Sequence, residues 1–228
     1  MLLEYIQKQQ QKQLDFYTSS GLHVFFKEPL VGKDIDAEKV IAQAESKIPS
    51  HLLSEIEMII FGHFDEFEER SINAFYDGGT LYISNIQDSE EDLYDDIIHE
   101  ISHSLESPYG YEIYGDDKIK DEFLRKRKQM HDLLWAHGFK APLAFFMNVE
   151  YDKEFDMFLY EKVGYDRLAS LLEGMMVSPY AATSLREYFA TGFTEYYLDS
   201  NHNFLKKVSP SLYEKLFLLQ DPETLDNR

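Results

Sequence analysis

The sequence predicts an α+β fold, with a small mixed sheet in residues 1–86 and a helical lobe in residues 87–228. Three observations carry this expectation. Short apolar runs bounded by Gly, Asp and Asn fill the first part, with a hairpin signal between residues 72 and 84. After Asp88 the apolar spacing is helical almost to the end. Hydrophobic residues make up 44% of the 228 and aromatics 15%, with no repeat, linker or low-complexity stretch, so one globular domain is expected throughout.

Taken in order, the Gln- and Lys-rich residues 3–17 have helical spacing and predict an N-terminal helix. Leu22 to Phe26 reads as a strand, and Asp36 to Ile48 as a helix with Asp36 as its N-cap. Glu55 to Phe61 is a second β-rich segment. Ile72 to Tyr76 and Thr80 to Ser84 flank Asp77-Gly78-Gly79, where glycines supply the positive φ of a tight hairpin turn. Asp88 and Ser89 form a cap, and helices are expected at 89–106, 117–137, 150–162, 165–175, 182–199 and 210–219. Gly138 suits a C-cap, while Gly164 and Gly192 interrupt the helical pattern. The basic run Arg125-Lys126-Arg127-Lys128 lies in a helix of alternating charge and is expected to be an exposed face.

The formal net charge of −20 argues against a nucleic-acid partner, which clustered Lys and Arg would attract. Acidic clusters at Asp65 to Glu69 and Asp88 to Asp96 read most simply as solvated surface, with attraction of a basic substrate as the alternative. Without cysteine there is neither a disulfide nor a thiolate metal ligand. The start Met-Leu-Leu-Glu-Tyr-Ile-Gln-Lys lacks the basic and apolar regions of a secretory signal, and no run suits a membrane span. A cytoplasmic product is expected, or one exported without a classical signal.

The segment Asp95 to Leu105 holds His99-Glu100-Ile101-Ser102-His103, an HExxH pentad. Residues four apart share a helix face, so both imidazoles can reach one metal ion with Glu100 beside it. Leu93, Ile97, Ile101 and Leu105 recur every four residues and mark a buried stripe next to the histidines. Imidazoles with an open fourth position suit catalytic Zn²⁺, whose water is acidified, and Glu100 is placed to take the proton. A mixed sheet, then the metal-binding helix, then a helical lobe is the order of a zincin. In such a fold Thr80 to Ser84 is expected at the sheet edge, where an extended substrate adds as a strand.

Two histidines do not complete a catalytic zinc site. An HExxHxxGxxH pattern needs Gly at 106 and His at 109, where this chain has Glu106 and Tyr109. A later carboxylate must serve instead, and the aromatic-rich helix Ser184 to Tyr197 is the best candidate, with Glu187 in its first half. Glu195, Glu106 and Asp95 are rivals for a ligand or supporting role. The histidines at 23, 51, 63, 131, 137 and 202 have no ligand spacing.

His99-Glu-Ile-Ser-His103, Tyr180 in Val-Ser-Pro-Tyr-Ala, and Glu187-Tyr-Phe-Ala together resemble the catalytic domain of anthrax lethal factor and the related clostridial Pro-Pro endopeptidases. The resemblance implies His99, His103 and Glu187 as zinc ligands, Glu100 as base, and Tyr180, seven residues before Glu187, as oxyanion donor. It covers the pentad and the 177–197 block, and loosely the hairpin. The chain departs from the family in two places. Between His103 and Glu187 lie 83 residues, so 107–175 reads as a helical insertion, and Thr191 stands where the family tends to have an acidic residue.

The expectation is a single-domain zinc metalloendopeptidase of the gluzincin type that acts on a protein or peptide substrate. The alternatives are a phage- or prophage-encoded structural or assembly protein whose metal only stabilises the fold, and a non-proteolytic hydrolase. Neither cleavage specificity nor oligomeric state is legible.

Overall fold

The computed structural model describes residues 15–31, 35–70, 72–198 and 202–225. The chain divides into two compact units, Met1–Pro108 and Tyr109–Arg228.

The first unit is built on a mixed sheet. Its elements are β1 (Phe16–Tyr17), β2 (His23–Phe26), α1 (Ala37–Lys47), β3 (Met58–Gly62), α2 (Asp65–Arg70), β4 (Ala74–Asp77), β5 (Thr80–Ser84) and α3 (Glu90–Ser104). Residues 3–14 of the expected N-terminal helix lie outside the described residues, and 16–17 are strand rather than helix. The reason is tertiary: Phe16 pairs antiparallel with Val24, and the Asp15 carboxylate accepts from the Phe26 N–H at 3.2 Å. The helix at 37–47 starts as expected, with the Asp36 carboxylate accepting from Lys39 N at 3.0 Å.

The strand order is β1-β2-β3-β5-β4, with β2, β3 and β5 parallel and the two outer pairs antiparallel. The expected hairpin is present, with Gly78 at φ +52° and Gly79 at φ +88°, both in the left-handed region that glycine tolerates. Thr80 to Ser84, however, does not form the sheet edge. It pairs with β3 on one side and β4 on the other, so the edge position falls to Ala74–Asp77. Met58-Ile-Ile-Phe-Gly62 is an apolar run that needs a neighbour on both sides, and β5 supplies one of them. Val24, Phe26, Ile59, Phe61, Leu81 and Ile83 are buried on the sheet, and Ile41 and Ala44 of α1 meet Ile97 and Ile101 of α3 around a cavity that Ile59 and Leu81 also line. Each such side chain contributes about 1.5–3 kcal/mol by leaving water. This core holds α3 against the sheet.

The segment α4 (Glu106–Tyr114) crosses the unit boundary and leaves helical geometry at Tyr109 (φ −119°, ψ 15°). The second unit then runs through α5 (Lys118–Ala136), α6 (Leu143–Phe146), α7 (Lys153–Met157) with a π-helical turn at Phe158–Val163, and α8 (Tyr165–Leu171). A 3₁₀ turn at Tyr180–Ala182 leads into α9 (Leu185–Leu198), followed by α10 (Asn203–Val208), α11 (Pro210–Leu219) and α12 (Pro222–Leu225). Gly138, at φ +88°, ends α5 as expected. Its N–H reaches Trp135 O at 3.1 Å and the Phe139 N–H reaches Leu134 O at 2.9 Å, which is the Schellman pattern.

The basic run of α5 is not an exposed face. Arg125 and Lys128 face solvent, but Lys126 is 6% and Arg127 1% exposed. They continue a buried face with Glu122, Phe123, Met130 and Leu134, so helical spacing overrides the local charge density. Phe189, Phe193 and Tyr197 of α9 are buried, as core packing requires.

Candidate metal centre

Helix α3 begins on Ser89, whose hydroxyl accepts from Asp92 N at 3.0 Å, and Glu90, Glu91 and Asp92 place negative charge on its first turn. The buried stripe Leu93, Ile97 and Ile101 fixes the roll of the helix on the sheet. That roll sets where His99 and His103 point, their rings 5.2 Å apart between centroids and inclined at 75°. Glu100 is buried, only 7% exposed.

The Glu106 carboxylate lies 3.9 Å from Nδ1 of His103. An acidic group on the Nδ1 side of the ring suits the arrangement in which Nε2 faces the metal. Glu106 thus lies beside His103 without joining the ligand group, and Asp95 is exposed and joins none either.

Asp96 was not singled out by sequence reasoning. Burial pushes its carboxyl up to about 6, with Glu100 and Asp95 raising it further, while Gln87 Nε2 donates to it at 3.4 Å. The legible signal was the Asp96 and Glu100 pair at i,i+4, two like charges on one helix face. A carboxyl raised above its ordinary value costs the fold nothing below its unfolded pKa, and stability is lost as pH rises through about 6 and the buried group ionises. Asp96→Asn should therefore stabilise the metal-free protein by about 2–3 kcal/mol at pH 7 and by little near pH 4. Urea unfolding at both pH values checks this, and an equal effect at the two would remove Asp96 as the source.

Glu187 sits in the first turn of α9, nearer the helix start than expected, because the helix begins at Leu185. The buried Ser184 hydroxyl accepts from Glu187 N at 3.1 Å, so Ser184-Leu-Arg-Glu187 has the spacing of a capping box, a signal that sequence reasoning passed over. The ligand atoms of His99, His103 and Glu187 all lie within 4.8 Å of one another, and no other group of this kind occurs among the described residues. Tetrahedral coordination at about 2.0–2.2 Å needs ligand atoms roughly 3.4 Å apart. Two imidazoles and one carboxylate form an N₂O donor set that fits a borderline divalent ion with a position left open.

Tyr180 opens the 3₁₀ turn before α9 and is 36% exposed. Its carbonyl accepts from both the N–H (2.9 Å) and the hydroxyl (2.8 Å) of Thr183, which fixes the turn. It neighbours Tyr165, whose own hydroxyl donates to Asp156 Oδ1 at 2.9 Å. The other histidines are held elsewhere. His23 stacks on Tyr17 and His202 on Tyr196, and Nδ1 of His137 bonds the Leu133 carbonyl at 2.8 Å.

Comparison with family models, with curated proteins and with solved structures finds no match to this chain.

Proposed function

We propose that the chain is a zinc-dependent metalloendopeptidase with a zincin-like fold that hydrolyses peptide bonds of a protein or peptide substrate. The single observation that carries this reading is the grouping of His99, His103 and Glu187 around one point, on a motif whose intervening Glu100 is buried. Burying a carboxylate is costly, and a metal that only stabilised the fold would not need that group next to its ligands. The resemblance of the pentad and the Tyr180 to Ala190 block to lethal-factor-like peptidases supports the same assignment.

His99, His103 and Glu187 would hold the ion. When bound, zinc polarises the scissile carbonyl and acidifies a water molecule. Glu100 takes the proton of the attacking water and passes it to the leaving amine. Tyr180 donates its hydroxyl to the oxyanion that forms on the substrate carbonyl. Among the described residues β4 is paired on one side only, so an extended peptide can add there as a further strand, the role sequence reasoning gave to β5. No helix among the described residues is long and apolar enough to cross a membrane.

Incubation with a peptide library, with and without chelator, tests the proposal. The expected result is cleavage that stops on chelation and returns with zinc. A protein that holds its metal and cleaves nothing would favour the assembly-protein reading.

A further inference from the structure

We infer that α5, which lies within the stretch read from sequence as an insertion, is the device that positions Glu187, with Lys126 and Arg127 as its positioning residues. The inference rests on the metal reading above. Neither residue belongs to the proposed ligand set.

Two consecutive cations on one buried helix face are unusual, and what they hold explains them. Arg127 donates to the carbonyls of Ala182 and Phe145, and to that of Thr183 at 3.4 Å. Its guanidinium stacks on Phe155, 3.9 Å from the ring centre. Lys126 Nζ donates to the Tyr188 hydroxyl at 2.8 Å and to Ser209 Oγ at 2.7 Å, and the Tyr188 hydroxyl donates to Glu122 Oε1 at 2.8 Å. Glu122 also accepts from the N–H groups of Ser211 and Leu212, at 2.9 and 3.3 Å. Neighbouring residues of α5 thus grip the chain at 182–183 and at 188, on either side of Glu187.

One turn further on, a Cβ on Gly192 would meet Leu212 Cδ2 at 2.2 Å, so α9 lies against α11 with no slack. The helix can neither roll nor slide without breaking this network. Burying ions costs several kcal/mol each, and apolar residues of similar volume would hold two helices together at least as well. A fixed geometry is what the polar clamp adds. A ligand carboxylate near the start of a helix depends on that geometry, because metal bond lengths tolerate only a few tenths of an ångström.

The test is metal affinity, which needs no substrate. Apoprotein is titrated with Zn²⁺ against a chromophoric chelator for Arg127→Met and Tyr188→Phe, each in the wild-type and the Glu187→Gln background, with circular dichroism to confirm folding. Roughly 10–100-fold weaker binding is expected in the wild-type background, by comparison with the loss of groups that orient metal ligands. Little further loss is expected once Glu187 is already gone. Destabilisation alone would weaken binding equally in both backgrounds, and that result would overturn the inference. So would affinities within twofold of wild type. If Arg127→Met does not fold, Tyr188→Phe decides, since it removes one oxygen and keeps the ring. A wild-type protein that binds no zinc would overturn the metal reading together with this inference, whereas unaffected variants of a zinc-binding protein overturn the inference alone.

Discussion

On the proposed mechanism, Glu100→Gln is expected to keep the fold and the metal and to lose nearly all hydrolysis, by roughly 10²–10⁴-fold in kcat, the usual contribution of a positioned acid–base group. The amide has almost the volume of the carboxylate, so the buried site and the neighbouring imidazoles need not move. It cannot accept the proton of the attacking water, nor deliver one to the leaving amine. Removing a buried charge also lightens the load on Asp96, which Glu100 raises, so the variant should be no less stable than wild type. Steady-state kinetics on a library-derived peptide, with metal analysis of the same sample, check both halves. Activity within a few-fold of wild type would remove Glu100 from the mechanism.

On the same mechanism, Tyr180→Phe is expected to lower kcat by about 10²–10³-fold with little change in KM, the loss that follows deletion of one oxyanion donor. Its hydroxyl is assigned to an oxygen that carries charge only in the transition state, so substrate binding is untouched. The turn itself should survive, because its hydrogen bonds run through the Tyr180 carbonyl and Thr183 rather than the phenol. Unchanged kcat, or a rise in KM alone, would assign Tyr180 to substrate contact or packing instead.

Local chemistry made much of the fold legible. The Asp36 and Ser89 caps, the Gly78-Gly79 turn and the Gly138 helix end each depend on a few neighbouring residues, and each lies where the sequence places it. The pentad was equally plain, since its meaning depends on one helical turn. Long-range pairing was not legible. Nothing within Thr80 to Ser84 indicates that Met58 to Gly62 will take its free edge and turn a hairpin arm into an interior strand. Lys126 and Arg127 were misread because local charge density suggests solvent, whereas their partners Tyr188, Ser209, Ala182 and Phe145 lie 18 to 83 residues away. Glu106–Tyr114 was hidden by Pro108 and Gly110, which break the pattern of a helix that is in fact kinked. Within the site, Glu187 was legible from its aromatic-rich helix and the motif resemblance of its block, whereas Asp96 was not, although both sit in the first or second turn of a capped helix.

The central claim is that His99, His103 and Glu187 hold one zinc ion, and elemental analysis of the purified protein tests it most directly. Grouping within 4.8 Å predicts about one zinc per chain, removed by chelation and lost in His99→Ala and Glu187→Ala. A stoichiometry near zero after exposure to zinc, or metal content unchanged in His99→Ala, would contradict the account.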